Sequence, residues 1–117
     1  MNDEIVELLS EVVERAWEDE EIFSKSFLKD KIKRSDSVCQ GISRNIFHRI
    51  FGVFPNTTQL EFLIEGKTHI IIYLTFNLKS YVIDGAIRQF LPEEKRTVFL
   101  IKDYPFKKEL QAAKRFP

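Results

Sequence analysis

Apolar residues in the first twenty positions recur with the spacing of an amphipathic α-helix. They fall at i, i+3 and i+4, and glutamates fill the opposite face. The pattern therefore predicts a long first helix with one buried and one acidic face. Its apolar stripe consists of Ile5, Leu8, Leu9, Val12, Val13, Ala16 and Trp17.

Two further helices are predicted before the middle of the chain. A short one runs through Phe23, Phe27 and Leu28, and the polar segment KRSDS (33–37) follows it. The next helix is predicted to end at Gly52, because glycine is common just past a helix and a proline follows soon after. Its apolar row consists of Val38, Ile42, Ile46 and Ile50, widened by Phe47 and Phe51.

The second half of the chain is rich in β-branched and aromatic residues, which favour strands. Short polar segments separate the runs, so antiparallel strands joined by tight turns are expected. Helices followed by strands predict an α+β fold with the N-terminal helices packed on one face of a small antiparallel sheet. The predicted strands are 59–64, 68–76, 80–84 and 97–101, and 107–115 is predicted to form a last short helix.

The size and composition of the chain fit one folded domain. Its 117 residues are 44% hydrophobic, which is enough apolar surface to build a core. We expect a single domain, 1–117, made of a helical half (1–52), antiparallel strands (57–102) and a tail (103–117).

Charge is balanced overall but segregated along the chain. Eighteen basic and eighteen acidic residues give a net charge of zero, which argues against a protein that mainly coats nucleic acid. The first helix is acidic, whereas KDKIKR (29–34) is basic. One interpretation is that the acidic helix and the basic segment are solvent-exposed surfaces that attract each other. A second interpretation is a nucleic-acid or toxin–antitoxin role through the basic segment.

One cysteine allows no internal disulfide, and the acidic amino terminus does not resemble a secretion signal. No apolar run approaches the roughly 18 residues that span a bilayer. A reducing cytoplasm is therefore the expected compartment, although an effector delivered by a dedicated secretion machine would carry the same features.

The single cysteine, Cys39, lies in SVCQ (37–40), which has the form of a helix capping box. With Ser37 as the N-cap, Cys39 falls in the first helical turn, where the helix dipole favours a thiolate. Alternatively, Cys39 is a small apolar residue that fills space beside Ile42 and Ile46.

The two histidines differ in their suitability as a base for this thiol. His48 is nine residues further along the same helix, which places it on the opposite face and about 13 Å away. His69 instead opens a predicted strand, directly before three isoleucines. It is either a hydrogen-bonded structural histidine or the general base.

A carboxylate is predicted to lie close to His69. If the hairpin around Asn77 and Leu78 pairs 76 with 79, Asp84 stands opposite Ile71, one diagonal step from His69. Cys39, His69 and Asp84 then provide a nucleophile, a base and an orienting carboxylate, as in a Ser-His-Asp triad.

This order of residues resembles the papain-like fold in its transglutaminase-like permutation. YVIDGAIRQF (81–90) is similar to the hydrophobic-Asp-Pro-Thr-x-x-Gln-Phe signature of that group, with Gly85 and Ala86 in place of Pro-Thr. The resemblance implies that Cys39 is the nucleophile, His69 the base and Asp84 the group that holds the imidazole. It also implies that Gln89 donates to the oxyanion, as in the deamidating toxin-domain branch; from the sequence alone, Gln89 is equally a loop residue that caps a backbone carbonyl.

The expected function is a cysteine-dependent hydrolase or acyl transferase that acts on a protein or peptide amide. Protease, glutamine deamidase and transglutaminase activity are not distinguished by these residues. The alternative is a non-catalytic protein-binding module or an inactive relative of the same fold. No cofactor is expected, and no metal either, because one cysteine and two histidines at these spacings give no closed ligand set.

Overall fold

Two helices precede the sheet in the computed structural model, which describes the backbone of residues 3–23 and 35–116 and the side chains of 3–19 and 41–116. Helix α1 spans Glu4–Phe23 and α2 spans Ser35–Ile50. Asp3 caps α1, because its Oδ1 accepts a hydrogen bond from the Ile5 amide at 2.9 Å. The short helix predicted through Phe27 and Leu28 lies outside the described residues.

Five strands form one sheet in the order β4-β3-β2-β1-β5, and every neighbouring pair is antiparallel. The α+β class and the packing of the helices on an antiparallel sheet are therefore confirmed. The strands are β1 (Thr57–Ile64), β2 (Lys67–Phe76), β3 (Lys79–Ile83), β4 (Val98–Leu100) and β5 (Lys114–Arg115).

Two tight hairpins set the register of the three long strands. Glu65 and Gly66 connect β1 to β2 with φ of 51° and 79°, and Asn77 and Leu78 connect β2 to β3 with φ of 51° and 65°. Positive φ at both loop residues is the type I′ geometry, whose twist matches that of the flanking strands. Phe76 consequently pairs with Lys79, the register on which the predicted position of Asp84 depends.

The sheet separates two apolar layers. We call the side packed against α1 and α2 the helix face, which carries Ile70, Ile72, Leu74, Tyr81 and Ile83. We call the opposite side the tail face, which carries Phe62, Ile64, Ile71, Val82 and Phe99. The tail face is covered by the chain around two 3₁₀ turns, Ile87–Gln89 and Ile101–Asp103, and by the short helix α3, Lys107–Leu110.

The predicted strands differ from the observed ones by one or two residues at their ends, and two helix predictions differ further. Helix α2 begins at Ser35, so Ser37 lies inside the helix rather than at its N-cap. The tail does not form one helix over 107–115, because α3 ends at Leu110 and the chain then pairs with β1. The Phe116 amide extends this pairing by donating to the Gln59 carbonyl oxygen at 2.8 Å.

Polar contacts fix α1 to the rest of the domain. The Trp17 indole Nε1 donates to the Gly85 carbonyl oxygen at 2.8 Å, and the Tyr81 hydroxyl donates to Asp3 Oδ2 at 2.9 Å. Asp19 also forms an ion pair with Arg49 of α2. Within the described part of the chain, no helix is both long and apolar enough to cross a bilayer.

A buried histidine–aspartate pair as the candidate active site

His69 and Asp84 form a direct pair in the layer that covers the tail face. His69 Nε2 lies 2.8 Å from Oδ1 and 2.7 Å from Oδ2 of Asp84. Both side chains have 0% of their surface exposed. Because Ile72 pairs with Ile83, Asp84 follows β3 at the level of Ile71, so the predicted diagonal relation to His69 is confirmed.

The Asp84 carboxylate has donors around it that make its burial tolerable. A buried carboxylate is costly unless hydrogen bonds replace those it makes in water. Besides His69, the Tyr104 hydroxyl donates to Oδ2 at 2.6 Å and the Ala86 amide donates to Oδ1 at 3.3 Å. Asp84 therefore accepts hydrogen bonds from three different groups.

The imidazole of His69 is packed against aromatic rings. The centroids of Phe62 and Phe90 lie 5.7 Å and 4.9 Å from that of His69, with interplanar angles of 84° and 77°. These edge-to-face contacts hold the plane of the ring. Since the Asp84 carboxylate accepts at Nε2, the hydrogen-bond pattern assigns the proton to Nε2 and leaves Nδ1 as the basic nitrogen.

Tyr104 belongs to this network although the sequence analysis did not single it out. Burial, together with the charge of Asp84 and the hydrogen bond to it, raises the pKa of Tyr104 far above its ordinary value. The phenol therefore stays protonated and acts as a donor. Its position depends on the path of the chain after β4, and no periodic pattern reveals that path.

Gln89 lies at the end of the first 3₁₀ turn, directly before the Phe90 that contacts His69. Its Oε1 is buried and accepts no hydrogen bond from any described residue. Gln89 is thus next in sequence to a ring that contacts His69, and its role as oxyanion donor stays a prediction.

Cys39 lies in the backbone of α2, and its side chain is outside the described residues. Ile42, one turn further along α2, lies close to the segment after β3. A Cβ on Gly85 would stand 3.3 Å from Ile42 Cγ1 and 3.0 Å from Ile46 Cδ1, so α2 passes close to the residue that follows Asp84. The middle of α2 thus adjoins the segment that carries the carboxylate.

The pair and helix α2 nevertheless belong to different layers. The rings that touch His69 lie on the tail face, whereas Ile42 packs on the helix face. The ladder between β2 and β3 starts at the Ile72–Ile83 pair, so His69 lies beyond it and pairs with Phe62 of β1. The structure thus unites His69 with Asp84, and it does not place the sulfur of Cys39.

Two candidates remain from the sequence, His48 and a metal site. His48 is exposed on α2, as expected for a residue on the face away from the sheet. Among the residues whose side chains are described, no group of three or more histidines, cysteines, aspartates and glutamates is arranged to hold a metal ion.

Comparison of the chain with protein-family models, curated proteins and solved structures finds no match. The function is accordingly argued from the site itself.

Proposed function

We propose that the chain is a cysteine-dependent hydrolase or acyl transferase that acts on a protein or peptide amide. Cys39 is the nucleophile, His69 the base and Asp84 the carboxylate that orients the base. The observation that carries this proposal is the direct hydrogen bonding between His69 Nε2 and the Asp84 carboxylate, because a carboxylate on one imidazole nitrogen fixes the tautomer that a triad requires. The resemblance of residues 81–90 to the transglutaminase-like signature supports the same assignment.

The proposed reaction proceeds through a thioester. His69 Nδ1 takes the thiol proton, Cys39 Sγ bonds to the amide carbon, and the Gln89 side-chain amide donates to the oxyanion. The carbon–nitrogen bond then breaks, and the proton on Nδ1 passes to the departing amine. Water releases the acyl group in a protease or deamidase, and a second amine releases it in a transglutaminase.

The pH dependence of Cys39 alkylation by iodoacetamide tests this assignment. An activated thiol reacts with a midpoint well below the ordinary thiol pKa of about 8.5. We expect His69→Gln to return the midpoint toward that value and His48→Gln, the matched control on exposed α2 surface, to leave it unchanged. An identical profile in His69→Gln and the unsubstituted protein, with folding verified by circular dichroism, would show that His69 does not activate Cys39.

A non-catalytic binding module is the second candidate, and the complete burial of the pair favours it. A histidine and a carboxylate that are both 0% exposed also serve to join the sheet to the tail layer without any chemistry. This function predicts an alkylation midpoint at or above about 8.5 in the unsubstituted protein. The same experiment therefore separates the two candidates.

A further inference from the structure

The hydroxyl of Tyr104 is built into the domain as a donor to Asp84. Tyr104 is 2% exposed, and its ring lies between Phe99 and Phe106, with centroids 5.4 Å and 5.9 Å away. These edge contacts fix the phenol, so its oxygen is held 2.6 Å from Asp84 Oδ2. A hydroxyl-to-carboxylate distance of this length is typical of a charge-assisted hydrogen bond.

We propose that Tyr104 is a positioning residue: it holds the Asp84 carboxylate in the rotamer that orients His69. Its importance for turnover rests on the proposed function, whereas its effect on the His69 ring does not. Donation to Oδ2 opposes rotation of the carboxylate. Tyr104 thus acts on the imidazole through Asp84 and touches no substrate.

Removal of this donor has a defined consequence for the imidazole. Without the Tyr104 hydroxyl, Asp84 Oδ2 keeps His69 Nε2 as its one donor among the described residues. Asp84 also loses one of its positional restraints, and the Nε2–H tautomer becomes less dominant.

The described groups that surround the pair come from five elements. Asp84 follows β3, Tyr104 follows the second 3₁₀ turn, and Glu109 of α3 contributes its charge to the surroundings of Tyr104. From β1 and from the first 3₁₀ turn the neighbours of His69 are the uncharged rings of Phe62 and Phe90. Because the Tyr104 hydroxyl is neutral, removing it deletes one hydrogen bond to Asp84 without changing the net charge around the pair.

The experiment compares Tyr104→Phe with Tyr81→Phe. Tyr81 is a matched control because it is also buried and also donates to an aspartate, Asp3, but it lies on the helix face. The ring nitrogens of His69 are followed by NMR across pH, with exposed His48 as an internal reference. We expect Tyr104→Phe to reduce the Nε2–H fraction of the neutral His69 ring, and we expect Tyr81→Phe to leave that fraction unchanged.

A second measurement uses the unsubstituted protein and does not depend on the folding of a variant. The Tyr104 hydroxyl proton is expected as a slowly exchanging, downfield NMR signal that is close to the His69 ring. Absence of that signal, an unchanged Nε2–H fraction of His69 in Tyr104→Phe, or an equal change in Tyr81→Phe would overturn the positioning role. Failure of the enzyme proposal is distinguishable from failure of the positioning role. It would be seen as a Cys39 alkylation midpoint near the ordinary thiol pKa in the unsubstituted protein.

Discussion

Removing one member of the His69–Asp84 pair leaves the other buried without its partner, which gives a quantitative test of the network. In His69→Ala, Asp84 keeps only the Tyr104 and Ala86 donors. The lost charge-assisted hydrogen bond is worth about 1.5–3 kcal/mol, and lost packing against Phe62 and Phe90 adds about 1–2 kcal/mol. We therefore expect the free energy of unfolding to fall by about 3–5 kcal/mol, the usual range for breaking a buried pair.

A double-mutant cycle separates the pair from the individual side chains. Asp84→Ala alone should cost a similar amount, whereas the double variant should cost about 2–3 kcal/mol less than the sum, because neither His69 nor Asp84 is then left buried without the other. Urea unfolding followed by Trp17 fluorescence and circular dichroism gives the values. The control combines His69→Ala with Leu9→Ala on the helix face, a distant pair whose effects should add. Additivity within about 0.5 kcal/mol for the His69–Asp84 cycle itself would refute this reasoning.

Three further predictions concern the hairpin, the α2 contact and the alkaline range. Leu78 is fully exposed and has a φ of 65°, a left-handed conformation that glycine adopts more easily than leucine. Leu78→Gly should therefore stabilise the domain by about 1 kcal/mol in thermal unfolding. An unchanged or lower melting temperature would contradict this. Gly85→Ala places a Cβ 3.0 Å from Ile46 Cδ1 and should lower the free energy of unfolding in urea by about 1–3 kcal/mol. Because Trp17 donates to the Gly85 carbonyl oxygen, a shifted backbone should also red-shift the Trp17 emission. Unchanged emission would mean that the side chains around Gly85 move instead of the backbone. Burial, with the hydrogen bond to Asp3, raises the pKa of Tyr81 to about 12. The contribution of the Tyr81 phenol to the free energy of unfolding is therefore complete below about pH 10 and is lost as pH rises toward 12. Absorbance at 295 nm should show the late ionisation and unfolding across this range should show the loss of stability, whereas ionisation of every tyrosine near pH 10 would exclude both.

The pairing of His69 with Asp84 was predictable from the sequence because it depends on local rules. A two-residue loop at Asn77 and Leu78 fixes which residues oppose each other, and the alternation of side chains along a strand then decides which share a face. An aspartate that ends an apolar strand must also find a partner. Two independent constraints therefore identified the same pair of side chains.

Other features of the site depend on tertiary structure and were not predictable in this way. Tyr104 reaches Asp84 only because the chain turns back over the tail face after β4, and loops of this kind have no periodic signal. Strand β5 is two residues long, too short for an alternating pattern, so the tail was interpreted as helix. The start of α2 at Ser35 rather than after Ser37 reflects the usual uncertainty of helix ends, where several polar residues are equally suitable caps.

The pairing of the tail with β1 also bears on how the domain avoids self-association. Strand β1 is eight residues long and includes Leu60, Phe62 and Leu63, and an open edge of this kind is a template on which another chain can add. Lys114 and Arg115 occupy the middle of that edge, opposite Glu61 and Leu60, and bring two positive charges to it. Residues 114–116 therefore cover part of the β1 edge, and removing them would expose a surface on which fibrils or swapped dimers could nucleate.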